Sequence, residues 1–390
     1  MIWINFLHIY QLPNSDAYIV EEATEKSYKR IVAALEANPA AKFTMNITGC
    51  LVDRWRELHY FDLIERIKAL VEKGQIELVG SVAFHCLMPL VPKKEIARQI
   101  KENNRILKAT FGDEIRLRGF FMPEMAYSGE AAKIIKNSGY EWIILDEICY
   151  NGRFSQVDFN KVYKDKNSGL KTVFRSRDFS SCYVPEVLNK KYQYKDIAIT
   201  ATDGELYGLR HKEKARDLER LFKNPNIQTM TVSEFIDSHK EVFEAKLIKG
   251  NWESTEKEIL DGEPYALWSH SRNHIHQKLW KFAYMAVDLV EKYHRDPNRK
   301  WAYYHLSRGL ASCTFWWASA KDFSYIFGPH AWNPDVIERG INQMIRAVRS
   351  IESDQSRDEK VEAEELCLDI KRLIWQKHWE LYWKKKPDNI

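Results

Sequence analysis

Two acidic stretches hold residues whose type and spacing suit chemistry. In GFFMPEMAYS, Gly119 to Ser128, residues 116–122 read as a short apolar strand that Pro123 ends, and Ser128 suits the N-cap of the following helix. Glu124 therefore falls just past the carboxyl end of a strand, the end on which a barrel of parallel strands builds its sites. In ITATDGELYG, Ile199 to Gly208, residues 196–201 read as a buried strand, and Asp203 and Glu205 follow it, with Gly204 and Gly208 permitting a tight turn. A single carboxylate near a helix start is an ordinary capping feature. Two, held on loops at the same end of one sheet, can flank a glycosidic bond. At roughly 5 Å apart, one attacks the anomeric carbon while the other protonates the leaving oxygen.

Such a site needs a scaffold that presents several strand ends together. Continuous or alternating apolar runs predict strands at residues 2–7, 43–47, 75–82, 116–122, 141–145, 170–174 and 196–201. Helical periodicity predicts helices at 20–36, 53–72 and 93–110 between them. This βα alternation predicts a parallel sheet, closed or nearly so. After about residue 260 the pattern becomes helical, at 268–293, 301–320, 334–351 and 367–386, with a charged stretch at 352–365 reading as a turn region and helix start. The expected division is a catalytic domain over 1–260 and a helical domain over 261–390, packed on the first and completing its site.

Composition narrows the class. The chain has 390 residues, 45% of them hydrophobic, enough for a barrel and an appended piece. Its net charge of +4 is spread over 59 basic and 55 acidic residues, so no nucleic-acid partner is expected. The short basic end at 384–386 reads as solvated rather than as a membrane contact. Cys50, Cys86, Cys149, Cys182, Cys313 and Cys367 are widely spaced with no CxxC pair, which points to neither a disulfide framework nor a zinc knuckle. No signal-peptide pattern and no apolar run of about 20 residues is seen, so no membrane partner and a cytoplasmic setting are expected. The sequence sets no oligomeric state. Thirteen Trp and nineteen Tyr supply flat faces that suit sugar stacking as well as core filling.

Taken together, five ordered blocks resemble glycoside hydrolase family 57, retaining enzymes of α-glucans with a (β/α)7 barrel followed by helices. FLHIYQLPN resembles the first block and would make His8 and Gln11 substrate-side residues. IELVGSVAFHCLMPLVP resembles the second and places His85 at a strand end. GFFMPEMAYS resembles the third and makes Glu124 the nucleophile. ATDGELYG resembles the fourth and makes Asp203 the general acid/base, with Glu205 binding or orienting. SRNHIHQKLW resembles the fifth, with Asn273 and His276, and RGLASCTFWW, from Arg308 to Trp317, resembles the helix that closes the sugar site. Trp252, Trp268, Trp316 and Trp317 become candidate stacking platforms. The resemblance implies an oligosaccharide or polysaccharide substrate, with no cofactor and no metal.

The chain departs from that pattern at Tyr10, where the family has a second histidine, and at Leu12, which intervenes before Pro13. Ser271 stands near the position of a glutamate, and Leu310, Ser312 and Trp317 stand for Gln, Asn and His. These changes bear on which glycan is bound. Nothing matches the all-β C-terminal domain of the larger glucanotransferases, which favours short oligosaccharides. One rival is a metal-dependent polysaccharide deacetylase or α-mannosidase-like enzyme, with His8, His85, His270, His274 and His276 as ligands and His270 and His274 on one helix face. Another is a glycan-binding relative that does not cleave.

Overall fold

The computed structural model describes residues 1–191, 196–211, 216–320 and 332–385. The chain divides into two compact units: residues 1–83 with 88–256, and residues 84–87 with 257–390. Among the described residues the first unit holds β1 (Ile2–Ile9), β2 (Phe43–Ile47), β3 (Ile76–Leu78), β4 (Gly119–Phe120), β5 (Trp142–Asp146), β6 (Val162–Asp165), β7 (Lys171–Arg175), β8 (Ile197–Asp203), β9 (Gln228–Met230) and β10 (Val242–Ala245).

These strands form two sheets rather than one continuous ladder. One runs β3-β2-β1-β8 with β9 against the start of β1, and the other runs β10-β6-β7-β5-β4. Every pairing is parallel except β6 with β7. Backbone bonds join the sheets at two places. The Gly80 amide donates to the Gly119 carbonyl at 2.9 Å and the Phe121 amide to the Gly80 carbonyl at 2.9 Å, while the Ser176 amide donates to the Ile199 carbonyl at 2.8 Å.

The two-residue period of a strand sorts β1 into two faces. Trp3, Leu7 and Ile9 enter a core shared with surrounding helices, including Leu63, Ile64, Ile67 and Leu70 of the helix Phe61–Glu72, which recur on one helical face. Ile4 and Phe6 enter a second core with Ile199 and Ala201 from β8 and Trp142, Ile144 and Val173 from the other sheet. His8 follows Phe6 by two residues and so continues the inner face. Both faces of β1 are covered, which is why it reads as a mostly apolar run, with Asn5 and His8 as its polar members.

Several boundaries differ from the periodicity. The helix expected at 53–72 is two, Gly49–Glu57 and Phe61–Glu72, separated where His59 takes a left-handed φ of 62°. β6, β9 and β10 were not expected. They are short and partly exposed, and so lack the apolar signal of the inner strands.

In the second unit the helix expected from 268 begins at His274, and that expected at 301–320 divides into Arg299–Gly309 and Ser312–Trp316. The last helix begins at Arg357, because Asp358 and Glu359 in its first turn favour a helix start where charge suggested a turn. Lys386, its expected end, lies outside the described residues. Gly309 and Gly340 allow close packing in this unit: a Cβ on Gly340 would stand 2.1 Å from Thr314 Oγ1. No helix among the described residues is long and apolar enough to cross a membrane.

Candidate active site

Glu124 is held by a strained turn. β4 ends at Phe120 and the chain enters a single 3-10 turn, Pro123–Met125, in which Glu124 has φ 61° and Met125 φ 49°. Left-handed backbone at two successive non-glycine residues costs about 1–3 kcal/mol each and persists only where surrounding structure enforces it. Here the Trp252 amide donates to the Glu124 carbonyl at 3.2 Å, and the Tyr127 amide to the Gly250 carbonyl at 2.8 Å. The Trp252 indole Nε1–H donates to Glu124 Oε2 at 3.0 Å. Ser128 caps the next helix by accepting from the Ala131 amide, as its sequence position predicts.

Asp203 is the last residue of β8, and in the ladder it faces His8 of β1 directly. Glu205 follows in the 3-10 turn Gly204–Leu206. This turn is braced by the π-helical turn Thr24–Tyr28, which lies between the helices Ala17–Ala23 and Lys29–Glu36. From it Ser27 Oγ donates to the Gly204 carbonyl at 2.5 Å and the Tyr28 hydroxyl donates to Glu205 Oε1 at 2.5 Å. Gln11 Nε2 donates to the same oxygen at 2.5 Å. The extra residue of a π turn re-aims side chains locally, and such turns are frequent at functional sites. Burial first, and then the nearby Asp203 charge, raise the Glu205 carboxyl to about 7. Asp203 Oδ2 accepts from Arg210 Nη1 at 2.9 Å.

Aromatic rings join these two turns. His8 stacks on Phe121 at 4.5 Å between centroids and meets Trp252 edge-on at 6.0 Å. His8 Nδ1 lies 2.8 Å from Asn46 Oδ1, an acceptor, so Nδ1 carries the proton of the neutral ring. Burial lowers the His8 imidazolium to about 4, so the ring is neutral over the ordinary range. Asp203, Thr202, Trp252, Arg175, Arg177 and Glu253 line a cavity of about 310 Å3. Trp252 thus donates to one carboxylate and walls the cavity that the other lines.

Of the residues expected from sequence, the first unit brings together His8, Gln11, Glu124, Asp203, Glu205 and Trp252. The second unit holds the rest in local roles. His85, at φ 57°, places Nδ1 2.9 Å from Ser312 Oγ. Asn273 caps the helix His274–Lys292 and donates to the Ala318 carbonyl at 2.9 Å. His276 is buried with Nε2 2.9 Å from the Phe315 carbonyl. Trp268 is 1% exposed and packed inside the unit, so it offers no face to a sugar there. Arg308 lies over the Tyr304 ring, 3.5 Å from its centroid. Trp316 and Trp317 are half-buried and meet edge-on at 4.5 Å.

His270 precedes the helix that His274 begins, so the two do not share a helix face. Among the described residues no group of three or more His, Cys, Asp or Glu side chains is arranged to hold a metal ion. Sequence reasoning missed Tyr28, Asn46, Arg175 and Arg210. The one available signal was the pair of arginines, Arg175 and Arg177, which follows the buried Val173 and Phe174 at the end of β7.

Fold and site define an α/β protein with carboxylates at and just beyond the carboxyl ends of parallel strands. The chain belongs to glycosyl hydrolase family 57, whose family profile matches residues 4–249. It is 28% identical over 220 residues to an alpha-amylase of Pyrococcus horikoshii, covering 53% of this chain and 34% of that protein. The matched stretch thus spans about a third of the length of that relative. The fold is similar to that of a 4-alpha-glucanotransferase from Thermococcus litoralis, with a TM-score of 0.70 and 16% identity over 91% of this chain and 60% of the other. It is also similar to a GH57-type branching enzyme from Pyrococcus horikoshii, with a TM-score of 0.68 and 15% identity over 96% and 95%.

Proposed function

We propose that the chain is a retaining glycosidase or transglycosylase acting on α-linked glucans or short oligosaccharides by double displacement. The observation that carries this reading is the place of Trp252, which hydrogen-bonds Glu124 and shares a cavity with Asp203. Family membership and relatives named alpha-amylase and 4-alpha-glucanotransferase support the substrate class. We also read β1, β2, β3, β4, β5, β7 and β8 as a distorted (β/α)7 ring. The bonds at Gly80 and between Ser176 and Ile199, with the inner core drawn from both sheets, support that reading.

In this mechanism a Glu124 carboxylate oxygen attacks the anomeric carbon as the bond to the leaving oxygen breaks, and Asp203 gives its proton to that oxygen. Arg210, more than half exposed, is a cation against Asp203, and proton donation requires that contact to open as the sugar arrives. The Asp203 carboxylate then takes a proton from water or from a sugar hydroxyl, whose oxygen attacks the same carbon and frees Glu124. His8 and Gln11 bind sugar hydroxyls, and Glu205 orients the Asp203 turn. The reading rests on residues of the first unit alone.

The test is incubation of the wild type, Glu124→Gln and Asp203→Asn with aryl glycosides and maltooligosaccharides, followed for both sugar release and chain-length redistribution. Both variants should lose turnover by roughly 10³-fold or more while keeping the wild-type circular dichroism. Retained activity in Glu124→Gln removes the nucleophile assignment.

A further inference from the structure

We propose that Arg175 is a positioning residue for Glu124 that acts through Trp252; this rests on the reading of Glu124 as the nucleophile. Arg175 ends β7 with its side chain 8% exposed. Its Nε donates to Asp146 Oδ2 at 2.7 Å, its Nη1 to the Ala201 carbonyl at 2.8 Å, and its Nη2 to the Trp252 carbonyl at 3.0 Å. The guanidinium carbon also lies 5.2 Å from the centroid of the Trp252 ring. One planar group therefore touches the strand that ends in Asp203, the backbone of the residue that donates to Glu124, and that residue's ring.

The counter-ion is shared. Asp146, fully buried at the end of β5, also accepts from Arg177 Nη2 at 2.8 Å and Nε at 3.2 Å. Arg177 in turn donates through Nη1 to the Ser254 carbonyl at 2.8 Å and through Nη2 to the Asn251 carbonyl at 3.2 Å. The two arginines thus hold the backbone on both sides of Trp252 and at Trp252 itself. A buried guanidinium is costly unless its donors are satisfied, and this one is placed where each of its three nitrogens finds an acceptor. An ammonium on a flexible stem cannot meet three acceptors lying around one plane.

The consequence falls on the indole. Fixing both the carbonyl and the ring plane of Trp252 leaves its Nε1–H aimed at Glu124 Oε2, and a small rotation of the ring breaks that bond. Misplacement of a reacting group by about 1 Å is enough to cost roughly 100-fold in rate. An arginine that only stitched β7 to β8 would change thermal stability without changing turnover of the folded protein.

The experiment compares Arg175→Lys, Trp252→Phe and the double variant by steady-state kinetics on a 4-nitrophenyl α-glycoside that the wild type cleaves, with Tm and circular dichroism measured alongside. Trp252→Phe removes the indole donor and keeps a ring. We expect each single variant to lower kcat about 10- to 100-fold with KM changed less than about threefold, and the double to fall no more than about threefold below the weaker single. Multiplicative losses, or an unchanged kcat in Arg175→Lys, overturn the proposal. If Arg175→Lys does not fold, Arg175→Gln, which leaves Asp146 paired with Arg177, is read by the same criterion. Glu124→Gln is run in parallel: its retained turnover sinks the nucleophile reading, whereas its loss beside an unaffected Arg175→Lys sinks the positioning role alone.

Discussion

The Tyr28 hydroxyl donates to Glu205 Oε1 at 2.5 Å, from a π-helical turn to a 3-10 turn 177 residues away. The bond brings a buried phenol against a buried carboxyl and ties the turn beyond β8 to the helix beside it. It makes Glu205 an internal brace next to Asp203 rather than a surface acid.

Removing that donor leaves a buried acceptor with one partner fewer. Tyr28→Phe should destabilise the protein by about 1–3 kcal/mol in urea unfolding and reduce turnover more than substrate affinity. Wild-type stability would show that the bond adds nothing to the fold.

The raised Glu205 value sets a pH dependence of definite sign. The folded carboxyl holds its proton to about 7, above the ordinary 4.5, so between those values the folded state binds more protons than the unfolded. Stability contributed in this way is present below about 4.5 and is lost as pH rises through about 7. Glu205→Gln should reduce that loss by roughly 2 kcal/mol, measured by urea unfolding at about pH 5 and about pH 8. An identical pH profile in the variant would contradict the assignment.

The histidines act in the opposite direction. Burial lowers His8 and His276 from 6.5 to about 4, so as pH falls through that interval the unfolded chain takes up protons first and stability declines. His8→Asn and His276→Asn should each shallow the acid limb of the Tm profile, and their combined effect should be close to additive. An unchanged limb in both would contradict the neutral, buried state.

Gly208 closes the turn that follows the Asp203 and Glu205 pair. Its φ is 131°, and a Cβ placed there would stand 2.2 Å from the Lys26 carbonyl oxygen. Gly208→Ala should lower stability by about 1–3 kcal/mol and reduce activity with it, because Lys26 begins the approach to Ser27 and Tyr28. A variant as stable and as active as the wild type would show that the turn does not hold the site.

The sequence made the inner strands legible because they are buried on both faces and rich in apolar residues, as in β1, β2 and β8. It did not reveal β6, β9 and β10, where exposure dilutes the pattern, or the breaks at His59 and Ala311, where local backbone geometry overrides a continuous helical period. At the site, the acids stood out because Pro123 and the glycines at 204 and 208 mark the ends of strands. The partners did not: Tyr28 is brought to Glu205 by an extra residue in a helical turn, and Arg175 reaches the Trp252 carbonyl through Nη2 while its other two nitrogens bond Asp146 and the Ala201 carbonyl. Such convergence depends on the distance between chain segments far apart in sequence, and no local pattern encodes it. Asn273 and His276 stood out as sugar contacts by resemblance, while in their own unit one caps a helix and the other bonds a buried carbonyl.

The most direct measurement is mass spectrometry of the peptide covalently labelled by a 5-fluoro-α-glycosyl fluoride, which slows release of a glycosyl-enzyme. The account predicts one added glycosyl group on Glu124 in the wild type and none in Glu124→Gln. A label on Glu205 or elsewhere, or turnover that inverts the anomeric configuration, would contradict it.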